Sequence, residues 1–229
     1  MHPLIPDQFD FRAAADDSPT MGPKEFDELA GPDALDILRD NELVDLIYTF
    51  GTMNPGLVTL HNFPKYLQTF KRPDNGALMD LAATDIVRCR ELGVPRYTEF
   101  RRLLHLPVPK TFEEITSNKT WAAELREVYG DIDLVDLIPG MYAEDLPKGF
   151  AFSDTAFRIF ILMASRRLNS DRFFTADFTD KVYTKAGMKW IDENSMITVL
   201  LRHFPELSPY LDGLDNAFGI WSRKPAAQN

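Results

Sequence analysis

The chain has 229 residues and a formal net charge of −10 at pH 7, with a pI near 4.9. Nucleic acid is excluded as a partner, because phosphate binding needs a basic surface. No run of 18 apolar residues occurs, so no transmembrane segment is expected. The chain is 45% hydrophobic and 26% charged, and it is long enough for one globular domain with a substantial core. Its single cysteine, Cys89, rules out an intrachain disulfide and suits a reducing, cytoplasmic compartment, with peripheral membrane association left open. The MHPLIPDQF start lacks the basic-then-apolar pattern of a signal peptide.

Residues 1–32 read as extended and irregular, since Pro3, Pro6, Pro19, Pro23 and Pro32 interrupt any long helix. Residues 33–50 read as a helix with Leu35, Leu38, Leu43, Leu46 and Ile47 as core positions. Gly51 and the Asn54-Pro55-Gly56 turn are expected to break it. His61 lies in a short apolar run over 57–70 and reads as a structural or surface histidine. Residues 71–76 form a polar loop.

Asp80 to Leu106 is the most informative stretch. Its first half reads as a buried helix with Asn75 as N-cap, Gly93 at C′ and Pro95 blocking continuation. Arg88 and Arg90 fall in the last turn, where cations suit the helix dipole. Leu81, Asp85 and Arg88 share one face, and Ala82, Ile86 and Cys89 another. By spacing alone, Asp85 and Arg88 are an ordinary i, i+3 ion pair.

Further on, Thr111 and Glu114 have capping-box spacing. A helix follows over 121–129, with Thr120 as N-cap and Gly130 as C-cap. Asp131 and Asp133 could belong to a metal loop, but the further oxygen ligands are missing, and Asp131 reads as a cap. Ser153 caps a helix reaching about Asn169. That helix is apolar on every side near its middle except at Arg158, so deep burial is expected, and Arg158 then needs a partner. Arg158 and Arg166 lie on similar faces, with Arg167 nearly opposite. A helix over 196–201 ends at Arg202-His203-Phe204-Pro205. Beyond Ser208 the signal fades, and 224–229 reads as a disordered tail.

Three stretches together resemble the animal-type haem peroxidase and cyclooxygenase superfamily. They are His2-Pro3-Leu4-Ile5-Pro6-Asp7, the Arg-x-Arg/Gly-x-Pro/aromatic/Arg-Arg-Leu series over 88–103, and Tyr129-Gly130-Asp131-Ile132-Asp133. The run Thr155 to Thr175, with Met163-Ala164-Ser165-Arg166-Arg167-Leu168 and Asp171-Arg172-Phe173-Phe174, resembles the plant α-dioxygenases and fungal fatty-acid dioxygenases.

The resemblance implies a mainly α fold, the C-terminal portion of a helical haem peroxidase domain. It implies haem b as cofactor, peroxide as activator and a fatty acid or small organic molecule as substrate. It makes His2 the iron ligand, Asp85 its hydrogen-bond acceptor and Arg88 a contact to a haem propionate. The family more often has Asn than Asp at the position of Asp85. One or two of Arg158, Arg166 and Arg167 would bind the substrate carboxylate, the alternative being pairing with Asp154 or Asp171. On residues alone, a histidine beside Met1 reads as frayed. The family's radical tyrosine would precede Met1, and its distal histidine has no counterpart here. The missing N-terminal half is therefore expected from elsewhere, and the competing reading is a non-catalytic helical binding module.

Overall fold

The computed structural model describes residues 2–29, 31, 33–72 and 74–223. Pro32, read above as a helix breaker, and the 224–229 tail lie outside the described residues. Within them the fold is mainly α, as expected. Its helices are α1 (Asp33–Asp40), α2 (Leu43–Thr52), α3 (Lys65–Gln68), α4 (Leu81–Glu91), α5 (Tyr97–Leu103) and α6 (Lys119–Tyr129). They continue with α7 (Leu137–Ala143), α8 (Asp154–Ser170), α9 (Asp180–Glu193), α10 (Met196–His203) and α11 (Ser208–Leu211). Two antiparallel ribbons are present. In one, β1 (Gln8–Phe9) pairs with β2 (Lys24–Glu25), and in the other β3 (Phe70–Lys71) pairs with β4 (Leu78–Met79).

The chain divides into two compact units. One joins Met1–Pro6 to Pro55–Arg166, and the other joins Asp7–Asn54 to Arg167–Asn229. The first has a core of Tyr97, Phe112, Ile115, Leu125, Val135, Leu137 and Ala143. Here α7 lies directly on α5: a Cβ at Gly140 would sit 2.3 Å from the Tyr97 ring, so only glycine permits the approach. The second unit packs Ala14, Tyr48, Leu207, Tyr210, Leu211 and Trp221. Beyond Ser208, where the sequence signal fades, Tyr210, Leu211 and Trp221 are buried in this core while Phe218 and Ile220 stand exposed.

Several helix boundaries follow their local chemistry. Gly93 and Gly130 take φ near +69° after α4 and α6, Ser153 Oγ accepts from the Ala156 N–H, and Asp131 caps the 132–134 turn. Others differ from expectation. Asp80, not Asn75, caps α4 by accepting from the Ala83 N–H, because Asn75 is used in the β3–β4 turn, where it accepts from the Ala77 N–H. Asn118, not Thr120, caps α6. The Thr111 side chain caps nothing, and Glu114 instead accepts from the Lys110 N–H.

The single helix expected over 33–50 is two helices, with Glu42 extended between them and Asn41 folded back onto the Ile37 carbonyl. Gly51 lies inside α2 rather than ending it, where its bare Cα face admits the Trp221 indole. Leu35, Leu38 and Leu43 are exposed, while Leu46 is buried. α1 rests on the 26–29 turn and not on a core.

Neither α4 nor α8 is buried as expected. No α4 side chain is buried, and α8 buries only Thr155 while exposing Phe160, Ile161, Leu162 and Met163. An apolar composition states that a helix wants a neighbour, not that it has one.

Candidate functional site

His2 opens a 3-10 turn, His2–Leu4, in which the Ile5 N–H donates to the His2 carbonyl at 2.9 Å. Pro3 is buried, and its carbonyl accepts from Asn62 Nδ2 at 3.2 Å. The Gly56 N–H donates to the Leu4 carbonyl at 3.0 Å. A Cβ at Gly56 would fall 2.1 Å from the Pro3 oxygen, so glycine is required where the two strands of chain cross. The His2 ring stands edge-on to Phe63 with centroids 5.4 Å apart. The terminal histidine is therefore anchored, not frayed.

Its Nδ1 lies 3.5 Å from Asp85 Oδ2, and Asp85 Oδ1 lies 4.0 Å from Arg88 Nη1. The fold thus brings His2 together with Asp85 and Arg88, which are distant from it in sequence. Side-chain exposure is 43% for His2 and 31% for Asp85, so the pair sits at an accessible surface. With Nδ1 turned to the carboxylate, Nε2 is the ring nitrogen left to bind a metal. Arg88, mostly exposed beside this pair, suits an acidic group on a cofactor's rim. This donor set, an imidazole nitrogen beside a carboxylate and an exposed guanidinium, fits a haem, which His2 and Arg88 would hold. Among the described residues no cluster of three or more His, Cys, Asp or Glu could hold a bare metal ion.

The arginines of α8 are not gathered in the same way. Arg158 Nε donates to Asp154 Oδ1 at 3.0 Å, an i, i+4 surface pair. Arg166 and Arg167 are exposed. Asp171, the other expected partner, accepts from the Phe173 N–H. His61 lies at the surface with Nε2 2.7 Å from Glu124. In the first unit, Val58, Met141, Tyr142, Phe152, Ile159, Phe160 and Met163 line an apolar cleft of about 200 Å³. Burial, and then the charge of Asp85, pushes the Tyr142 hydroxyl up to about 12.

Two buried carboxylates escaped the sequence reading, and they occupy the two ends of α7. Asp136, at its N-terminus, accepts from Arg90 Nε at 2.9 Å and Nη2 at 2.5 Å, from the Tyr129 hydroxyl at 3.1 Å, and from Arg96. Burial pushes its pKa up, but the hydrogen bonds from Arg90 and Tyr129 and the two guanidinium charges outweigh this and hold it below the usual carboxylate range. Glu144, at the C-terminus, accepts from the Tyr97 hydroxyl at 2.8 Å, Arg101 Nη1 at 2.9 Å, the Thr155 N–H at 3.2 Å and the Thr155 hydroxyl. Burial, with Glu144's charge, pushes the Tyr97 phenol far up. The only hints in the sequence are the acids flanking a short apolar segment and the arginines of 88–102, which do not reveal who pairs with whom.

The animal haem peroxidase family model matches residues 1–212. Alpha-dioxygenase PIOX of Pisum sativum is 36% identical over the whole chain, which covers 38% of that protein. Alpha-dioxygenase 2 of Arabidopsis thaliana is 43% identical over 80% of the chain, which covers 30% of it. The solved fatty acid alpha-dioxygenase of Arabidopsis thaliana superposes with a TM-score of 0.87 at 35% identity, covering 100% of this chain and 38% of that one. The chain therefore spans less than two fifths of the length of these relatives. The match runs through the His2 turn, α4 and α8 alike, and it places the chain in the animal haem peroxidase family.

Proposed function

We propose that the chain forms the proximal part of a haem-dependent fatty-acid dioxygenase of the α-dioxygenase type. The observation that carries this reading is the His2–Asp85 contact at 3.5 Å, formed by the same two residues that the family resemblance assigns to the iron. His2 would ligate through Nε2, Asp85 would hold the Nδ1 proton, and Arg88 would pair with a propionate. Haem b held there would supply the redox chemistry for peroxide-driven oxidation of a fatty acid.

The substrate carboxylate falls to one or two of Arg158, Arg166 and Arg167, whose forks suit a carboxylate. Arg166 and Arg167 are favoured, because Arg158 is paired with Asp154. The exposed apolar face of α8 supports an acyl chain as the remainder of the substrate. The whole chain is read as one segment of a single domain, supported by a family match that extends through both compact units. The distal base is assigned to the rest of such a domain, in the same polypeptide or in a second chain, since peroxide cleavage needs a proton acceptor on that side. A cytoplasmic setting accords with the single free thiol.

Titration with haemin tests the reading. The 229 residues alone should give a weak Soret band, and a strong one when the upstream segment of a family domain is joined to them. His2→Ala should abolish it in both forms. An unchanged spectrum in His2→Ala removes His2 as ligand. A folded chain with no band in either form supports the non-catalytic helical module instead.

A further inference from the structure

α4 carries Asp85, none of its side chains is fully buried, and Leu81, Ala82, Ile86 and Cys89 are only half-buried, so apolar packing alone leaves freedom in how the helix is rolled about its axis. The His2–Asp85 contact is too accessible to do so either. Exposed pairs of this kind are individually weak and readily exchanged for water. One interaction of α4 has a different character. Arg90 reaches Asp136 with two parallel hydrogen bonds, Nε to Oδ1 at 2.9 Å and Nη2 to Oδ2 at 2.5 Å.

The acceptor is a carboxylate only 5% exposed, and it is itself immobilised by Arg96 and the Tyr129 hydroxyl. A bidentate fork fixes orientation as well as distance. Arg90 follows Asp85 by five residues, which at 100° per residue places it about 140° around the helix. Pinning Arg90 to α7 therefore turns the Asp85 face outward, to where the 2–4 turn holds His2.

We propose that the Arg90–Asp136 clamp sets the roll of α4 and thereby keeps Asp85 against His2, making Arg90 and Asp136 positioning residues for the axial-ligand pair. The contact geometry is independent of cofactor, while its catalytic meaning rests on the function proposed above. Arg90 acts from the far side of the helix and touches neither His2 nor Asp85. The two sides of α4 meet electrically at Cys89, whose thiol is pushed up by burial and then by Asp85 and Asp136 together.

The test uses the haem-free chain. Nitrogen-15 NMR of the His2 imidazole, under conditions where the ring is neutral, reports which nitrogen holds the proton. Wild type should favour Nδ1–H, and Asp85→Ala should shift the ratio toward Nε2–H. Arg90→Gln is predicted to shift it in the same direction by about threefold, the scale of a lost surface contact. Arg102→Gln removes an exposed pair on α5 with Glu99 and should leave the ratio alone.

Arg90 is 51% exposed, and Asp136 keeps Arg96 and Tyr129 when it is removed. Should Arg90→Gln not fold, Arg90→Lys retains the charge without the fork, and the same shift is expected. A wild-type ratio in either folded variant overturns the clamp. A haem spectrum indifferent to His2 overturns the axial-ligand reading instead, and the tautomer ratio still decides the clamp.

Discussion

The two ends of α7 and the outward faces of α4 and α8 handle charge in opposite ways. At the ends of α7, Asp136 and Glu144 are buried, and each is surrounded by several donors. On the outward faces, Asp85 has one imidazole and one distant guanidinium, and Arg166 and Arg167 stand exposed among apolar neighbours. The first arrangement commits the hydrogen bonds of both carboxylates to holding the fold together. The second leaves hydrogen-bonding capacity unspent, which is what a ligand requires. Charges that are costly to bury and fully paired belong to architecture, while accessible charges beside apolar surface are those available for binding.

The sharpest way to break this contrast is to remove a buried acid. Asp136→Ala strands Arg96 and Tyr129 and should cost about 3 kcal/mol in urea unfolding near neutral pH. The folded-state pKa of Asp136 lies below its unfolded value. Its contribution is therefore present above the unfolded pKa and is lost as pH falls through the folded one. The gap between wild type and Asp136→Ala should close on strong acidification, and a gap that persists there would mean Asp136 acts by packing alone.

On the ligand side, in a haem-loaded form carrying the rest of the domain, Arg166→Ala or Arg167→Ala should raise KM for a free fatty acid about tenfold. The methyl ester should be spared. Equal effects on acid and ester would move both arginines to the architectural class.

Tyr142 lies where the two classes meet. Its phenol should ionise near pH 12, so the stability tied to its neutral form holds below the ordinary tyrosine value and is lost as pH rises toward 12. Ultraviolet titration should show Asp85→Asn bringing Tyr142 part of the way down. Tyr129, held at about 12 by burial and then by Asp136, should not move. A drop in both would mean that Asp85 affects the whole unit. The smallest effect belongs to Arg158→Ala, within about 0.5 kcal/mol, because its partner Asp154 is one helical turn away on the surface.

What could be read from the sequence was local or motif-borne. The cap at Ser153 and the glycines at 93 and 130 depend on neighbours within a few residues, and they were legible for that reason. His2 and Asp85 were legible as a pair only through family motifs, since nothing in their spacing joins residue 2 to residue 85. The α7 carboxylates carried no such motif, and their partners come from α4, α5, α6 and α8. α4, α8 and Leu35 are more exposed than their apolar spacing implies, because periodicity reports the presence of an apolar face, whereas exposure depends on what covers it. Gly51 failed for the reverse reason: a residue that weakens a helix was kept inside one because a distant indole needs the space.

The path of the chain through its first unit has a practical result for dissecting the protein. Deleting the first six residues, or cutting anywhere in 7–54, separates His2 from the body of residues that contains Asp85. Yet the two edges of that excursion already touch, since the Gly56 N–H bonds to the Leu4 carbonyl. Residues 7–54 can therefore be excised and bridged by a very short linker, at little loop-closure cost. With a stop after Arg166, the product would be a minimal polypeptide that keeps the histidine, the acid and the helix connecting them.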